Sequence, residues 1–199
     1  MAHHLLPGFP GGFQLDRSSG GAEAGLTRNV LQGLLDSLAG YGDRTALLAF
    51  HAQGLQRWSY QRLGLESRRF ANWLLGEGLE RGQRVGIMAP PGPEWVTAFL
   101  GAIRAGAMAV PLDTQLAPET LERVVDDAAA SLYLAGPDQA RALSEVSRSR
   151  VLALGGDDWE RIGSQAAADR ARLPDLQPDD PAALFYTSGT SGPPKGVPL

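Results

Sequence analysis

Apolar positions along this chain alternate between the spacing of helices and the spacing of strands. Helical spacing predicts four amphipathic helices with the apolar faces Val30, Leu31, Leu34, Leu35 and Leu38; Leu63, Phe70, Leu74 and Leu75; Val96, Phe99, Leu100 and Ile103; and Leu121, Val124, Val125 and Ala128. Short apolar runs predict strands at 45–51, 55–58, 84–89, 107–110, 131–135, 151–154 and 182–186. A further helix is predicted at 137–146.

Capping and turn residues fall at the ends of these predicted elements. Thr27 and Ser59 are suited to cap the first two helices, and Pro93 suits the first turn of the third. The pair Gln53-Gly54 separates two strand-like runs, which predicts a hairpin. The local signals therefore agree with the periodicity.

The alternation of strands and helices predicts an α/β fold with a mostly parallel, doubly wound sheet flanked by helices. We divide the chain into four parts. Residues 1–25 form a glycine-rich leader, disordered or loosely docked; residues 26–171 form the α/β subdomain; residues 172–181 form a proline-rich acidic connector; and residues 182–199 form a strand and a loop that open a next, truncated part.

Composition excludes several classes of function. The net charge is −4 without a basic cluster, which argues against nucleic acid as a partner. There are no cysteines, so disulfides, thiolate catalysis and cysteine-built metal sites are excluded. No apolar run is long enough for a membrane span, and the N-terminus lacks the features of a signal peptide. A cytoplasmic location is the default expectation.

The chain has one lysine, Lys195, and its other 17 Lys and Arg residues are arginine. This lysine ends the run YTSGTSGPPKGV at residues 186–197, which follows an apolar run. Glycines allow successive N–H groups to turn toward one anion, hydroxyls add donors, and lysine supplies a compact charge. We therefore predict a phosphate-binding loop for ATP formed by Thr187, Ser188, Gly189, Thr190, Ser191, Gly192 and Lys195.

A flexible linker is the alternative interpretation, because glycine, serine and threonine are also typical of linkers. The preceding strand and the stiff pair Pro193-Pro194 count against it. The loop is also not a Walker A sequence, since Pro194 precedes the lysine and Gly196 follows it.

The run at residues 186–197 closely resembles the phosphate-binding signature of the adenylate-forming superfamily, which includes acyl-CoA synthetases, luciferases and peptide-synthetase adenylation domains. The sequence departs from that signature at Ser191, where threonine is commoner, but a hydroxyl is retained. Residues 58–60, 82–96 and 101–113 resemble three upstream segments of the family, with Gln83 in place of the usual aspartate and Gly92 in place of the usual asparagine.

The resemblance implies an ATP-dependent, AMP-forming acid–thiol ligase that makes acyl-AMP and pyrophosphate and then acyl-CoA. It implies a carboxylic acid, ATP and coenzyme A as small-molecule partners, with Mg²⁺ on the phosphates. In the family the adenine, ribose and acyl contacts and the adenylation lysine come later in a longer protein. We therefore expect no catalytic residue and no protein-built metal site in this chain. We also expect the chain alone to be inactive, whether it is an expressed fragment of a longer protein or the product of a truncated gene.

Alternatives remain open at this point. A peptide-synthetase adenylation domain, a fatty acyl-AMP ligase or a non-catalytic α/β module would each fit the sequence. Residues 94–96 and 110–113 look more like fatty or aryl acyl-CoA synthetases. The pairs Asp126-Asp127 and Asp179-Asp180 could bind a metal, but a solvated helix and a solvated linker are the simpler interpretations.

Overall fold

The computed structural model describes residues 30–51, 54–168, 172–187 and 194–199. Its helices are α1 (Val30–Gly40), α2 (Tyr60–Gly76), α3 (Pro93–Arg104), α4 (Pro118–Ala128), α5 (Ala140–Val146) and α6 (Gly156–Ala168). Its strands are β1 (Thr45–His51), β2 (Gly54–Ser59), β3 (Arg84–Met88), β4 (Met108–Pro111), β5 (Leu132–Ala135), β6 (Arg150–Ala153), β7 (Leu184–Thr187) and β8 (Lys195–Pro198).

A four-stranded parallel sheet with the order β4-β3-β5-β6 forms the centre of the fold. One apolar cluster lies between one face of this sheet and helices α2, α3 and α6, and a second lies between the other face and helices α4 and α5. Helices therefore cover both faces, and the predicted doubly wound α/β fold is confirmed.

Alternation along the strands divides the core between the two faces. Val85 and Ile87 of β3 belong to the cluster under α2 and α3, whereas Met88 belongs to the cluster under α4. On the α4 side, Gly86 of β3 is paired with Tyr133 of β5, and the tyrosine is almost completely buried. A Cβ atom on Gly86 would lie 2.2 Å from Cδ1 of Tyr133, so the ring occupies the space of the missing side chain.

Helix α1 forms an additional layer outside α2 and α3. Its Leu35 and Leu38 are buried against Leu63 of α2 and against Leu100 and Ile103 of α3. The periodicity predicted Leu31, Leu35 and Leu38 of this apolar face correctly, but the prediction was wrong for Leu34, which is 52% exposed.

Two antiparallel hairpins accompany the parallel sheet. The hairpin of β1 and β2 was predicted from its turn residues, although Gln53 lies outside the described residues. Strands β7 and β8 form the other hairpin, whereas the sequence predicted only an extended stretch after the loop. A parallel bridge between Ala109 and Ala183 places this hairpin beside β4.

Most local signals behave as predicted. The Ser59 side chain caps α2 by accepting a hydrogen bond from the Arg62 N–H, and Pro93 lies in the first turn of α3. Thr27 and the leader at residues 1–25 lie outside the described residues.

Helix α6 was not predicted. Of its large apolar residues, only Ile162 is buried. Trp159 is partly buried, and its ring centroid lies 5.2 Å from that of Phe70 in α2. Two anchoring side chains in thirteen residues give too weak a periodicity for a prediction from the sequence.

An ion pair with Arg81 holds residues 172–181, the predicted connector. The Arg81 Nη2 donates to Asp180 Oδ1 at 2.6 Å, and its Nε donates to the same oxygen at 3.1 Å. Asp180 also accepts from the Gln177 N–H. Asp180 is therefore a structural residue, whereas the sequence suggested that the pair Asp179-Asp180 lies in a solvated linker.

None of the helices in the described ranges has the length and apolar character needed to cross a membrane.

Replacing Gly86 with alanine is expected to destabilise the fold by about 1–3 kcal/mol, because the new methyl group would clash with the buried Tyr133 ring. Urea unfolding of the variant and the parent measures the difference. The matched control is Gly163→Ala in α6, where a Cβ meets nothing within 4 Å and where alanine favours the helix. Equal midpoints for Gly86→Ala and the parent would contradict the packing described here.

Candidate functional site

Two of the seven predicted phosphate-binding residues face each other at the ends of one hairpin. Thr187 ends β7, Lys195 begins β8, and the two are register partners. Partners in an antiparallel pair have Cα atoms about 4.5–5.5 Å apart. The structure therefore brings the first and last predicted residues together, and both are exposed.

The other five predicted residues, Ser188, Gly189, Thr190, Ser191 and Gly192, lie outside the described residues. Their roles stay predictions. The structure gives the positions of Thr187 and Lys195, the two strand residues on either side of that segment.

The direction of β7 places Thr187 at a defined edge of the fold. The bridge between Ala109 and Ala183 is parallel, so β7 runs in the same direction as β4 and its neighbours. Thr187 therefore lies at the carboxyl ends of the strands, the edge at which α/β sheets bind ligands.

Tyr186 anchors the end of β7 to helix α4. Its hydroxyl group donates a hydrogen bond to Asp127 Oδ2 at 2.6 Å. Partial burial, followed by the bond to the Asp127 carboxylate and by its negative charge, raises the pKa of Tyr186 well above its usual range. The tyrosine therefore stays a neutral donor at physiological pH.

Gly196 of β8 makes room for the same tyrosine. Tyr186 and Gly196 are register partners, and a Cβ on the glycine would lie 3.4 Å from the tyrosine ring and 3.0 Å from Leu184 Cδ1. The ring therefore packs closely on the backbone of the strand that carries Lys195.

The sequence did not assign this role to Asp127. Asp126-Asp127 was read as a solvated helical pair or a weak metal candidate, and in the structure Asp127 is a hydrogen-bond acceptor for Tyr186. A signal was available, because aspartates in the last turn of α4 are unfavourable toward the helix dipole. Acidic residues at such a position suggest a partner elsewhere in the fold.

Lys195 has no ion pair with any residue that the structure describes, and its side chain is exposed. A free ammonium group at the end of a hairpin can pair with an anion from solution. Within the described ranges, no group of three His, Asp or Glu side chains is arranged to hold a metal ion.

A sequence model of the AMP-binding enzyme family matches residues 34–199, which is most of the chain. This chain belongs to the AMP-binding enzyme family. The match includes both Thr187 and Lys195, and it confirms the resemblance to adenylate-forming enzymes.

Two relatives represent two kinds of adenylate-forming protein. The chain is 30% identical over 177 residues to the PKS-NRPS hybrid synthetase ATPKS of Aspergillus niger, covering 86% of this chain and 9% of that protein. It is 28% identical over 183 residues to a crotonobetaine/carnitine–CoA ligase of Salmonella enteritidis, covering 84% of this chain and 35% of the ligase. The chain thus spans about a third of that ligase and far less of the synthetase.

A solved structure gives the same family relationship. The complex of VinN with 3-methylaspartate superposes with a TM-score of 0.70 at 33% identity, covering 83% of this chain and 46% of VinN. The similarities to a hybrid synthetase and to a CoA ligase are nearly equal, so they do not favour one of these two types.

Replacing Tyr186 with phenylalanine is expected to make stability less sensitive to alkaline pH. The folded protein keeps the Tyr186 proton above pH 10, where the unfolded chain, with a tyrosine pKa of about 10, releases it. Stability carried by the neutral tyrosine is therefore lost as pH rises from about 10 toward the folded pKa. Urea unfolding at pH 9 and pH 11 should show that the parent loses up to about 1 kcal/mol more than the variant, a value reduced for partial exposure.

Asp127→Asn is the companion variant for this measurement. It keeps an acceptor for the Tyr186 hydroxyl but removes the negative charge, so its loss between the two pH values should lie between those of the parent and Tyr186→Phe. Three identical pH dependences would show that the Tyr186 proton is not held by the fold.

Proposed function

We propose that this chain is the N-terminal part of an ATP-dependent, carboxylate-activating ligase of the acyl-CoA synthetase type. The observation that carries the proposal is the pairing of Thr187 with Lys195 at the carboxyl edge of the sheet, at the two ends of the predicted phosphate loop. Membership of the AMP-binding enzyme family supports it.

In the proposed reaction a carboxylate oxygen of the substrate attacks the α-phosphorus of ATP. The bond from that phosphorus to the bridging oxygen breaks, pyrophosphate leaves with the electron pair, and acyl-AMP forms. A coenzyme A thiol then displaces AMP to give the thioester. The acyl acceptor of this second step is part of the proposal, and the relative that is a CoA ligase supports it.

The residues of this chain would act on the β- and γ-phosphates. Lys195 is an exposed, unpaired cation with respect to the described residues, so it can meet the negative charge that develops on the leaving pyrophosphate. Thr187, Ser188, Gly189, Thr190, Ser191 and Gly192 would add N–H and hydroxyl donors. Tyr186, fixed by Asp127, would hold the strand from which these donors depart.

Mg²⁺ fits this site as an ion carried by the phosphates. The described residues offer no carboxylate cluster for it, and Mg²⁺ commonly binds substrate phosphates while keeping several waters. When bound, the ion would neutralise phosphate charge. The protein contribution would then rest on Lys195 and the loop donors.

The proposal includes the organisation of the whole protein. Residues 1–25 would be a leader, 26–171 the first α/β subdomain, 172–181 a connector, and 182–199 the start of the next part. The acyl and adenine contacts would come from a remainder, and the CoA ligase, of which this chain covers 35%, supports that organisation. We place the enzyme in the cytoplasm.

A peptide-synthetase type of adenylation domain is the second candidate. The 30% identity to a PKS-NRPS hybrid synthetase supports it about as well as the 28% identity to a CoA ligase supports the first candidate. Such a protein would form the same acyl-AMP but pass the acyl group to a carrier-bound thiol. Offering free coenzyme A and a carrier protein to the full-length protein, and measuring which one becomes acylated, distinguishes the two.

Lys195→Ala in the full-length protein is expected to lower the rate of adenylation about tenfold to a hundredfold. The variant removes a charge-assisted interaction worth about 1.5–3 kcal/mol, and an exposed side chain at a strand end should not affect folding. ATP–pyrophosphate exchange measures the rate, and melting curves check the fold. Arg123→Ala, which removes an exposed arginine from α4, is the matched control. Equal exchange rates for Lys195→Ala and the parent would remove the lysine from the reaction.

The isolated 199-residue chain is expected to form no acyl-AMP. Substrate positioning contributes about 7–11 kcal/mol to such reactions, and the contacts to adenine and the acyl group would be missing. The purified chain is incubated with ATP, Mg²⁺ and a mixture of fatty and aryl acids, and AMP and acyl-adenylate are measured by mass spectrometry. Turnover above that of the Lys195→Ala chain would show that the catalytic groups are already present.

A further inference from the structure

A cavity of about 520 Å³ lies between helices α1, α2 and α3 and the connector after α6. It is separate from Thr187, the strand end that leads into the predicted phosphate loop. Arg104, which lines it, ends α3 and leads into the amino end of β4, whereas Thr187 lies at the carboxyl edge of the strands. The proposed ligase function uses none of the residues that line this cavity.

The buried charge in this cavity is Arg104, which is only 7% exposed. Its Nε donates to the Ser67 hydroxyl at 3.0 Å, and its Nη2 donates to the Leu35 carbonyl at 3.1 Å. Both acceptors are neutral, and no carboxylate of the described residues lies within 4 Å of the guanidinium. A buried cation without a direct ion pair is costly, so the Arg104 guanidinium favours an anionic group in contact with it.

A second cation adds to this preference. Arg68 of α2 also lines the cavity and is exposed. Burial and the positive charge of Arg68 lower the pKa of Arg104, and the charge of Asp36 opposes them. An anion bound between the two arginines would relieve their repulsion.

The remaining lining residues limit what kind of anion fits. Asp36 and Asp175 line the same cavity and repel an anion in proportion to its charge, so a singly charged anion is favoured over a multiply charged one. Leu35, Leu173 and Leu176 supply an apolar wall. One negative charge with a short hydrocarbon body matches both features.

We infer that this cavity binds a small organic monocarboxylate. Its carboxylate would accept hydrogen bonds from the guanidinium groups of Arg104 and Arg68, and its hydrocarbon part would contact Leu35, Leu173 and Leu176. Guanidinium groups are suited to this recognition because their planar N–H donors match the two oxygens of a carboxylate. The Ser67 hydroxyl holds the Arg104 guanidinium in place for the ligand.

The test uses sodium butyrate as the probe and inorganic phosphate as the comparison, with the full-length protein. Isothermal titration calorimetry measures binding, and hydrogen–deuterium exchange followed by mass spectrometry locates it. Butyrate is expected to bind saturably and to slow amide exchange in residues 31–38 and 172–177. Phosphate, which carries more charge at neutral pH, should bind more weakly. The exchange pattern separates this site from any substrate pocket, so the result does not depend on the proposed ligase activity.

Three variants make the assignment specific. Arg68→Gln, at an exposed position that folding should tolerate, and Arg104→Gln are each expected to weaken the local protection by butyrate about tenfold. Asp36→Asn should strengthen it, because it removes a nearby negative charge. Arg123→Gln on the opposite face of the sheet is the matched control and should change nothing.

Several outcomes would overturn the inference. The first is that butyrate does not slow amide exchange in residues 31–38. The second is that both arginine variants keep the same protection as the parent, and the third is that phosphate binds more tightly than butyrate. An absence of binding would also follow if a carboxylate of the protein itself, from residues 1–29 or from a following part, already pairs with Arg104. That result would equally show that the cavity is not a ligand site.

Discussion

The close packing of Tyr133 on Gly86 is the contact through which the sheet, helix α4 and the candidate site are connected. The ring fills the space that a side chain at position 86 would need, and the hydroxyl donates to the Val125 carbonyl of α4 at 3.2 Å. Two residues further along the same helix, Asp127 accepts the hydrogen bond from Tyr186. The position of the strand before the phosphate loop therefore depends on how α4 is seated over β3 and β5.

The same packing arrangement occurs in the hairpin of β7 and β8. In both places a tyrosine on one strand lies opposite a glycine on its neighbour, Tyr133 opposite Gly86 and Tyr186 opposite Gly196. A tyrosine ring over a glycine restores the apolar contact that the glycine lacks, while the hydroxyl reaches a polar group on α4. The C-terminal end of α4 thus accepts one hydrogen bond from a tyrosine of the central sheet and another from a tyrosine of the hairpin.

The sequence was sufficient where structure is decided locally. The leucines of α1, the Ser59 cap and the strand at residues 84–88 follow from spacing and capping within a few residues. It was insufficient for α6, where Trp159 packs against Phe70 of another helix and Ile162 is the buried large apolar residue. The pairing of β7 with β8 could not be predicted either, because it depends on partners across an intervening loop.

The site divides in the same way. A phosphate-binding role for the loop could be proposed because its glycines, hydroxyls and single lysine are adjacent in the sequence, and that role stays a prediction. The contact between Tyr186 and Asp127 joins residues 59 positions apart, and the cavity around Arg104 depends on Ser67, 37 positions away. Neither can be recognised from spacing, since only the folded chain brings these side chains together.

The hairpin that carries Lys195 has a thermodynamic consequence for ligand binding. Bringing the two ends of a chain segment together reduces its conformational entropy, and this reduction opposes any binding event that must first close the segment. In this protein the backbone pairing of Thr187 with Lys195 closes the segment during folding. A polyanion bound at the predicted phosphate loop would meet a lysine already placed beside Thr187, and more of the interaction energy would then be retained as affinity.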